Sequence, residues 1–287
     1  MSEKPDALIV EGGGMRGVFS AGILDAFYEQ KFDPFSLYIG VSAGACNLAS
    51  HLAGQYKRNY RCYTDYMLRP DFISAKKYLL GGHFMDLDWF WDYVDEYDTL
   101  DRESATSLGN KKFLVVTTDV ETGEALYIEA QSKILDDLLK GSSSVPVMYR
   151  NFIEIYGRRV TDGGVADSIP VQEAYRRGAR RIMVIRSRPA EYIKNSFFES
   201  RILPMIFSSY PALKKALQMR EKRYMESVEF IKNPPADAEI IEIAPVEIRT
   251  GRTTRKREII ENDYLQGHVR GYAIVSALEK NESKPRR

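Results

Sequence analysis

The chain has 287 residues, 44% hydrophobic and 28% charged, values that are typical of a globular protein built as one large α/β unit. Its 41 basic and 40 acidic residues give a net charge of +1, which argues against nucleic-acid binding as the main function. Two cysteines indicate neither a disulfide framework nor a zinc site. The sequence contains no apolar run of membrane-spanning length and no signal peptide, so we expect a cytoplasmic protein.

The first fifty residues alternate between strand and helix patterns. Ala7–Val10 is a short apolar run that predicts a buried strand, and apolar residues at a helical period predict a helix over residues 18–30. Residues 37–40 predict a second strand, and residues 46–53 a second helix. This alternation predicts an α/β fold with a mostly parallel sheet covered by helices.

Residues 55–110 interrupt the alternation with many aromatic side chains, including both tryptophans of the chain. We expect most of them to pack in the core, and some to form the wall or lid of an apolar pocket. Seven acidic residues between Asp86 and Asp101 lack the spacing of a metal-binding loop. They are expected on a solvated helix face, so no metal site is predicted here.

The remaining chain predicts a β-hairpin over residues 111–129, a helix over 134–140, a second hairpin that turns at Gly157, a helix over 171–177 and a strand at Arg181–Ile185. After Pro189 the pattern becomes helical and charged up to Phe230, followed by a strand at residues 239–245 and a last helix from Asn262. We therefore predict an α/β domain at residues 5–188. Residues 189–287 would form a C-terminal extension, helical with one short strand, packed on that domain.

A basic cluster lies within residues 249–257 of this extension. A solvated loop or helix face is one interpretation. A patch that contacts anionic lipid head groups at a membrane surface is the other.

A glycine-rich loop follows the first predicted strand. Within LIVEGGGMRGVFSAG, Gly12, Gly14 and Gly17 fit the dinucleotide-binding pattern G-x-G-x-x-G. That function requires an acidic residue about 20 positions further on, near the end of the second strand. The chain offers GVSAG there instead. We therefore expect the amides of Gly13 and Gly14, with Arg16 as a cation, to act on another negative charge at the same place as the amide of Ala43.

The second strand ends in a candidate nucleophile. Gly40, Ser42 and Gly44 match G-x-S-x-G at a strand-to-helix turn, which is the context of a nucleophile elbow. The small residues Gly40, Ala43 and Gly44 satisfy the steric demand of such a turn. A serine that only caps an ordinary helix is the structural alternative.

A serine nucleophile requires a base. His268 follows Ser42 in the chain order of an α/β-hydrolase triad. However, it falls in a helical pattern, and only one predicted strand precedes the strand that ends in the elbow, whereas that fold usually has several. The other candidate is Asp162, which two glycines follow, Gly163 and Gly164. An ordinary aspartate is a weak base, with a pKa of about 3.9, so this role needs a dry site and a well-stabilised oxyanion.

Three motifs thus occur in order: GGGMRG at residues 12–17, GVSAG at 40–44 and DGG at 162–164. Together they resemble the patatin-like phospholipases, and GSSSVP at residues 141–146 is similar to the small-residue block of that family. The resemblance covers about residues 7–186, and the rest is similar to a bacterial branch with a C-terminal extension.

The resemblance implies a three-layer αβα fold and a lipid acyl hydrolase that needs neither calcium nor another cofactor. Ser42 would be the nucleophile and Asp162 the base. The oxyanion hole would be formed by Gly13, Gly14, Arg16 and Ala43. The partner would be a lipid or hydrophobic ester, with peripheral contact to a membrane surface and none to nucleic acid.

Two alternatives stay open at this point. One is an α/β-hydrolase-type esterase that uses His268. The other is a catalytically idle lipid-binding module at a membrane surface, which the basic cluster and the aromatic segment favour.

Overall fold

The apolar runs of the sequence form the middle of one mixed sheet in the computed structural model, which describes residues 6–193 and 202–282. The described strands are β1 (Ala7–Val10), β2 (Leu37–Val41), β3 (Lys112–Asp119), β4 (Ala125–Glu129), β5 (Ile153–Ile155), β6 (Arg158–Asp162), β7 (Arg181–Ile185) and β8 (Glu239–Ile243). Their order is β5-β6-β3-β2-β1-β7-β8, and β4 pairs with β3. Because β3, β2, β1, β7 and β8 are parallel to one another, the prediction of a mostly parallel sheet is confirmed.

Helices cover both faces of this sheet. The described helices are α1 (Val18–Glu29), α2 (Ala43–Leu52), α3 (Arg58–Thr64), α4 (Ala75–Leu79), α5 (Leu87–Tyr97), α6 (Arg102–Thr106), α7 (Leu135–Ser143), α8 (Val171–Arg176), α9 (Leu203–Ile206), α10 (Pro211–Lys232) and α11 (Arg257–Glu282). In β1, Leu8 and Val10 pack into one core cluster with α1 and α2, whereas Ala7 and Ile9 pack into another with α8 and α10. Burial on both faces explains the uninterrupted apolar run of this strand and gives three layers.

The register of β3 brings two distant chain segments together. β4 occupies one side of β3 along residues 114–118, so β2 and β6 share the other side. Along that side, β2 ends with Val41 opposite Val116, and β6 ends with Asp162 opposite Thr117. The residue that follows Val41 therefore lies beside Asp162.

The C-terminal part of the chain adds to the same sheet, because β8 pairs in parallel with β7. Helix α11 crosses α1 at close range. A Cβ on Gly22 of α1 would collide with the Tyr264 carbonyl oxygen, and a Cβ on Gly267 of α11 would collide with the carbonyl oxygen of Phe19. Glycine is needed at both positions because the two backbones are in contact.

The start of the last helix differs from the prediction. The last helix begins at Arg257 rather than at Asn262, with Glu258 in its first turn, where an acidic side chain favours a helix start. The predicted helical stretch after Pro189 falls partly on residues 194–201, which lie outside the described residues. In the part of the chain that the structure describes, we find no helix with the length and apolar character needed to cross a membrane.

Candidate active site

Ser42 lies on a strained turn between β2 and α2. Its backbone dihedrals are φ 53° and ψ −129°, outside the regions that most residues adopt. The turn requires small neighbours, because a Cβ on Gly40 would collide with the backbone of Ala45 and a Cβ on Gly44 would collide with the Val10 carbonyl oxygen. This is the local geometry of a nucleophile elbow at the carboxyl end of a strand.

A buried serine fixes the backbone of this turn. The Ser42 N–H donates to Ser142 Oγ at 2.8 Å, and the Ser142 hydroxyl donates to the carbonyl oxygen of Val116 at 2.6 Å. Ser142 is fully buried at the end of α7. The sequence pattern did not assign this residue a role, although it belongs to the GSSSVP block, whose small side chains were the available signal.

Asp162 lies at the end of β6 and is 4% exposed. Its carboxylate accepts the Gly164 N–H at 2.8 Å and lines the same polar cavity as Ser42. Burial raises the pKa of the Asp162 carboxyl above its usual value, while the positive charge of Arg220 and the nearby Ser42 hydroxyl counteract this rise. At Gly163, a Cβ would collide with the Val116 carbonyl oxygen, so the turn after Asp162 lies directly on β3.

The glycine loop after β1 contacts the same turn. A Cβ on Gly12 would lie 2.8 Å from the Cβ of Ser42. Gly13 is the N-cap of a short 3-10 turn, Gly14–Gly17, and Gly14 has a φ of +58°, which glycine adopts without strain. Backbone N–H groups at a helix start have no partner within the helix. Here the Met15 N–H donates to the Arg252 carbonyl oxygen at 3.2 Å, whereas the N–H groups of Gly13 and Gly14 have no backbone acceptor among the described residues.

Arg16 belongs to this loop and is 6% exposed. Among the residues that the structure describes, no hydrogen-bond partner is present for its Nε. Burial is the main cause that lowers the pKa of Arg16 to about 10, and the positive charges of Arg188 and Arg252 lower it further. The next motif glycine, Gly17, packs against Tyr63, because a Cβ there would collide with the tyrosine hydroxyl.

Two cavities meet at Ser42. A polar cavity of about 270 Å³ contains Ser42, Asp162 and the glycines of residues 12–14. An apolar cavity of about 60 Å³ shares Ser42, Gly14 and Val145 with it. Its other lining residues include Ala43, Tyr63, Met67, Phe72, Met85, Phe90 and Trp91. The structure thus gives the hydroxyl of Ser42 a charged side and an apolar side.

The predicted site residues are divided between the two cavities. Ser42, Asp162, Gly13, Gly14 and Arg16 share the polar cavity. Ala43 lines only the apolar one. Part of the aromatic segment forms the apolar wall, as expected, whereas Trp89, Tyr93 and Tyr97 stack on one another.

His268 lies elsewhere. Its Nε2 is 3.2 Å from the carboxylate oxygens of Glu29, and its ring packs against those of Tyr264 and Tyr272. It lines neither cavity, so the geometry does not support the triad alternative. Several acidic residues of the aromatic segment cap helices or form ion pairs; Asp86, for example, caps α5 and pairs with Lys77.

The sequence pattern missed three arginines of the site. Arg188, Arg220 and Arg252 line the polar cavity with Arg16. Arg252 belongs to the basic cluster for which a solvated surface was one interpretation. For this residue that interpretation is wrong, because the segment between β8 and α11 folds over the glycine loop, where the Met15 N–H donates to the Arg252 carbonyl oxygen at 3.2 Å.

The chain is similar to known proteins. A family model described as patatin-like phospholipase matches residues 8–175, and one described as a domain of unknown function (DUF6363) matches residues 210–282. The chain is 31% identical over 278 residues to the uncharacterized protein YjjU of Escherichia coli (strain K12), with 96% of this chain and 78% of that protein covered.

Two solved structures are also similar. For VipD from Legionella pneumophila, the TM-score is 0.48 at 14% identity, with 95% of this chain and 67% of that chain covered. For human GIVD cytosolic phospholipase A2, the TM-score is 0.48 at 11% identity, with 97% of this chain and 63% of that chain covered.

Proposed function

Because the chain belongs to the patatin-like phospholipase family, we propose that it is a serine acyl hydrolase that cleaves lipid or other hydrophobic carboxylic esters with a Ser42–Asp162 dyad. The observation that carries this proposal is the adjacency of Ser42 and Asp162, which follow from neighbouring pairings on β3 and line one polar cavity. The strained elbow that presents Ser42 supports it.

In the proposed reaction, the Ser42 hydroxyl attacks the acyl carbonyl while Asp162 accepts its proton. The tetrahedral intermediate collapses, the proton passes from Asp162 to the leaving alcohol, and an acyl-enzyme forms on Ser42. Asp162 then takes a proton from water, which attacks the acyl-enzyme. The bond between the acyl carbon and Ser42 Oγ breaks, Oγ receives the proton from Asp162, and the carboxylic acid is released. Burial makes Asp162 a stronger base than an exposed aspartate, because it raises the pKa of this carboxyl.

The oxyanion of each tetrahedral intermediate requires hydrogen-bond donors. We assign this role to the backbone amides of Gly13, Gly14 and Ala43, with Arg16 as a nearby cation. Gly13 and Gly14 border the polar cavity at the start of a 3-10 turn, and Ala43 begins α2 directly after the nucleophile. Each such donor contributes about 2.7–4 kcal/mol to transition-state stability.

The apolar cavity is suited to the acyl chain. Three methionine and four aromatic side chains contribute to its wall, and methionine adapts its shape to what it contacts. At about 60 Å³ this cavity is small, so the geometry favours short acyl chains.

Exposed apolar side chains near the site support contact with a membrane surface. Leu79 is 85% exposed, Leu80 78% and Met205 67%. Their neighbours Tyr78 and Leu203 line a groove that shares Val145, Arg220 and Arg252 with the polar cavity. We propose that these side chains enter the lipid surface while the substrate moves into the site.

The test is the hydrolysis of p-nitrophenyl esters of several chain lengths. We expect Ser42→Ala and Asp162→Asn each to lower kcat by at least about 1,000-fold. Asp167→Asn is the matched control, because burial also raises the pKa of Asp167, whose carboxylate accepts the Tyr127 hydroxyl at 2.7 Å outside both cavities. The mechanism is wrong if both dyad variants keep the wild-type rate.

A fluorophosphonate probe separates a hydrolase from an idle lipid-binding protein. We expect it to label Ser42 in the wild type and to leave Ser42→Ala unlabelled. An unlabelled, well-folded wild type would favour the idle module instead.

A further inference from the structure

An arginine is buried in the wall of the apolar cavity that meets Ser42. Arg58, the first residue of α3, is 4% exposed and lines this cavity among methionine, leucine and aromatic side chains. An arginine is almost never buried to this extent without a partner charge; Arg186, for example, pairs with Glu242. No carboxylate of the described residues forms an ion pair with Arg58. An anionic group in the cavity would supply that counter-charge.

Two of the three guanidinium nitrogens of Arg58 are engaged, both by uncharged acceptors. Its Nε donates to the Asp98 carbonyl oxygen at 2.8 Å, and its Nη1 donates to Ser50 Oγ at 3.0 Å. The carboxylate of Asp98 instead accepts Nε and Nη2 of Arg61, at 2.8 and 2.9 Å, and the Tyr66 hydroxyl at 3.0 Å. Among the described residues, no acceptor is present for Nη2 of Arg58. The N–H groups of Nη2 therefore remain for a ligand.

The charge of Arg58 lies at the end of the cavity that is far from the nucleophile. The thiols of Cys46 and Cys62 line this cavity, and burial raises the pKa of both, a rise that the positive charge of Arg58 opposes. Ser50 follows Ser42 by eight residues on α2, so the hydrogen bond from Arg58 to Ser50 places the guanidinium about 12 Å from Ser42 along the helix axis. The cavity thus extends from the nucleophile toward a buried positive charge.

An acyl chain whose carbonyl carbon is at Ser42 would have its free end near Arg58. A methyl group there would leave the buried guanidinium without a counter-charge, whereas a carboxylate would accept a charge-assisted hydrogen bond from Nη2. An extended chain of about ten bonds spans 12 Å. Because the serine side chain and the contact with the guanidinium take up part of this length, the geometry fits a diacid of about six to eight carbons.

We propose that Arg58 binds a carboxylate at the free end of the acyl chain, so that the preferred substrates are half-esters of dicarboxylic acids. This inference rests on the proposed acyl-hydrolase function. During turnover the bond between Ser42 Oγ and the ester carbonyl carbon forms, the bond from that carbon to the alcohol oxygen breaks, and the alcohol oxygen receives the proton held by Asp162. Water then releases the diacid from Ser42. The terminal carboxylate is unchanged throughout.

The experiment compares two p-nitrophenyl esters of equal shape, the adipic acid half-ester and the 6-methylheptanoate, in which an isopropyl group replaces the terminal carboxylate. We expect kcat/KM of the wild type to be at least about tenfold higher for the adipic half-ester, because a hydrogen bond between charged groups is gained. Arg58→Met should reduce this ratio by roughly tenfold or more, and Arg58→Lys by less. Lys57→Met is the matched control that should keep the ratio, because exposed Lys57 is the chain neighbour of Arg58 and lines neither cavity.

A binding measurement separates failure of this inference from failure of the proposed function. Adipate is titrated calorimetrically into Ser42→Ala protein, alone and with Arg58→Met added. We expect binding to the first protein and at least about tenfold weaker binding to the second. If Arg58→Met does not fold, the substrate ratio of the wild type and the binding of adipate to Ser42→Ala decide the question.

A wild type that prefers the neutral ester, or a folded Arg58→Met protein that keeps the substrate ratio, would overturn the carboxylate site while leaving the hydrolase intact. Binding of adipate that depends on Arg58, without hydrolysis of any ester, would instead refute the proposed function and support the carboxylate site.

Discussion

Ser142→Ala should lower kcat in a protein that still folds. The Ser142 side chain is fully buried, accepts the Ser42 N–H at 2.8 Å and donates to the Val116 carbonyl oxygen at 2.6 Å. A buried donor left without a partner costs about 1–3 kcal/mol. The strained dihedrals of Ser42 persist only while its surroundings fix them. Loss of the Ser142 contact should therefore raise the free energy of the reactive conformer of Ser42 by this amount. Its population, and with it kcat, should fall roughly 5- to 150-fold.

The assay is steady-state hydrolysis of a p-nitrophenyl ester, together with the rate of fluorophosphonate labelling. KM should change little, because Ser142 lines neither cavity. Ser144→Ala is the matched control: Ser144 is equally buried, but its hydroxyl donates to the Gly141 carbonyl oxygen at 2.7 Å and not to the elbow. A Ser142→Ala enzyme with wild-type kcat, or equal kcat losses in both variants, would refute the reasoning.

Four further predictions concern Asp162, the contact between α1 and α11, and the exposed leucines. Because burial raises the pKa of Asp162, the acid limb of kcat/KM should lie above the pH of about 3.9 that an exposed aspartate gives. The pKa of Asp162 is higher in the native than in the unfolded state, so the free energy of unfolding decreases as the pH rises from the unfolded to the native value. Asp162→Asn removes this ionisable group. It should therefore melt no lower than the wild type at pH 7, while being inactive. Gly267→Ala should separate α11 from α1 and lower the melting temperature by several degrees in a thermal scan, consistent with overpacking by about 1–3 kcal/mol; an unchanged melting temperature would contradict that contact. Replacing both Leu79 and Leu80 by Ser should weaken co-sedimentation with lipid vesicles, and Val246→Ser, 95% exposed beside a different groove, should not.

The features that could be predicted from the sequence depend on residues that are close together in the chain. Ala7–Val10 and Arg181–Ile185 are apolar runs, and burial on both sheet faces requires that pattern, so both strands lie where they were predicted. Ser42 and its glycines were recognisable because the strain of the turn excludes larger side chains within four residues. The assignment of Ser42 and Asp162 as a catalytic pair stays a prediction; the structure brings both residues to one polar cavity.

The residues that the sequence did not locate depend on packing between distant segments. Arg252 meets Gly14 only because α11 lies on α1 and the segment before it turns on Asp263. Spacing along the chain carries no information about such a contact. The basic cluster was visible, but charge alone does not distinguish a solvated arginine from one that lines a cavity.

Because β2 and β6 lie end to end along β3, an inserted residue affects this site differently in β3 than in a loop. The separation of Ser42 from Asp162 is set by a single peptide step, from Val116 to Thr117. One residue inserted there would displace the two groups by about 3.3 Å, the length of a full hydrogen bond. Loop variation elsewhere leaves that step untouched. The proposed reacting pair is therefore aligned before any substrate arrives, and divergence can act on the surrounding loops without altering it.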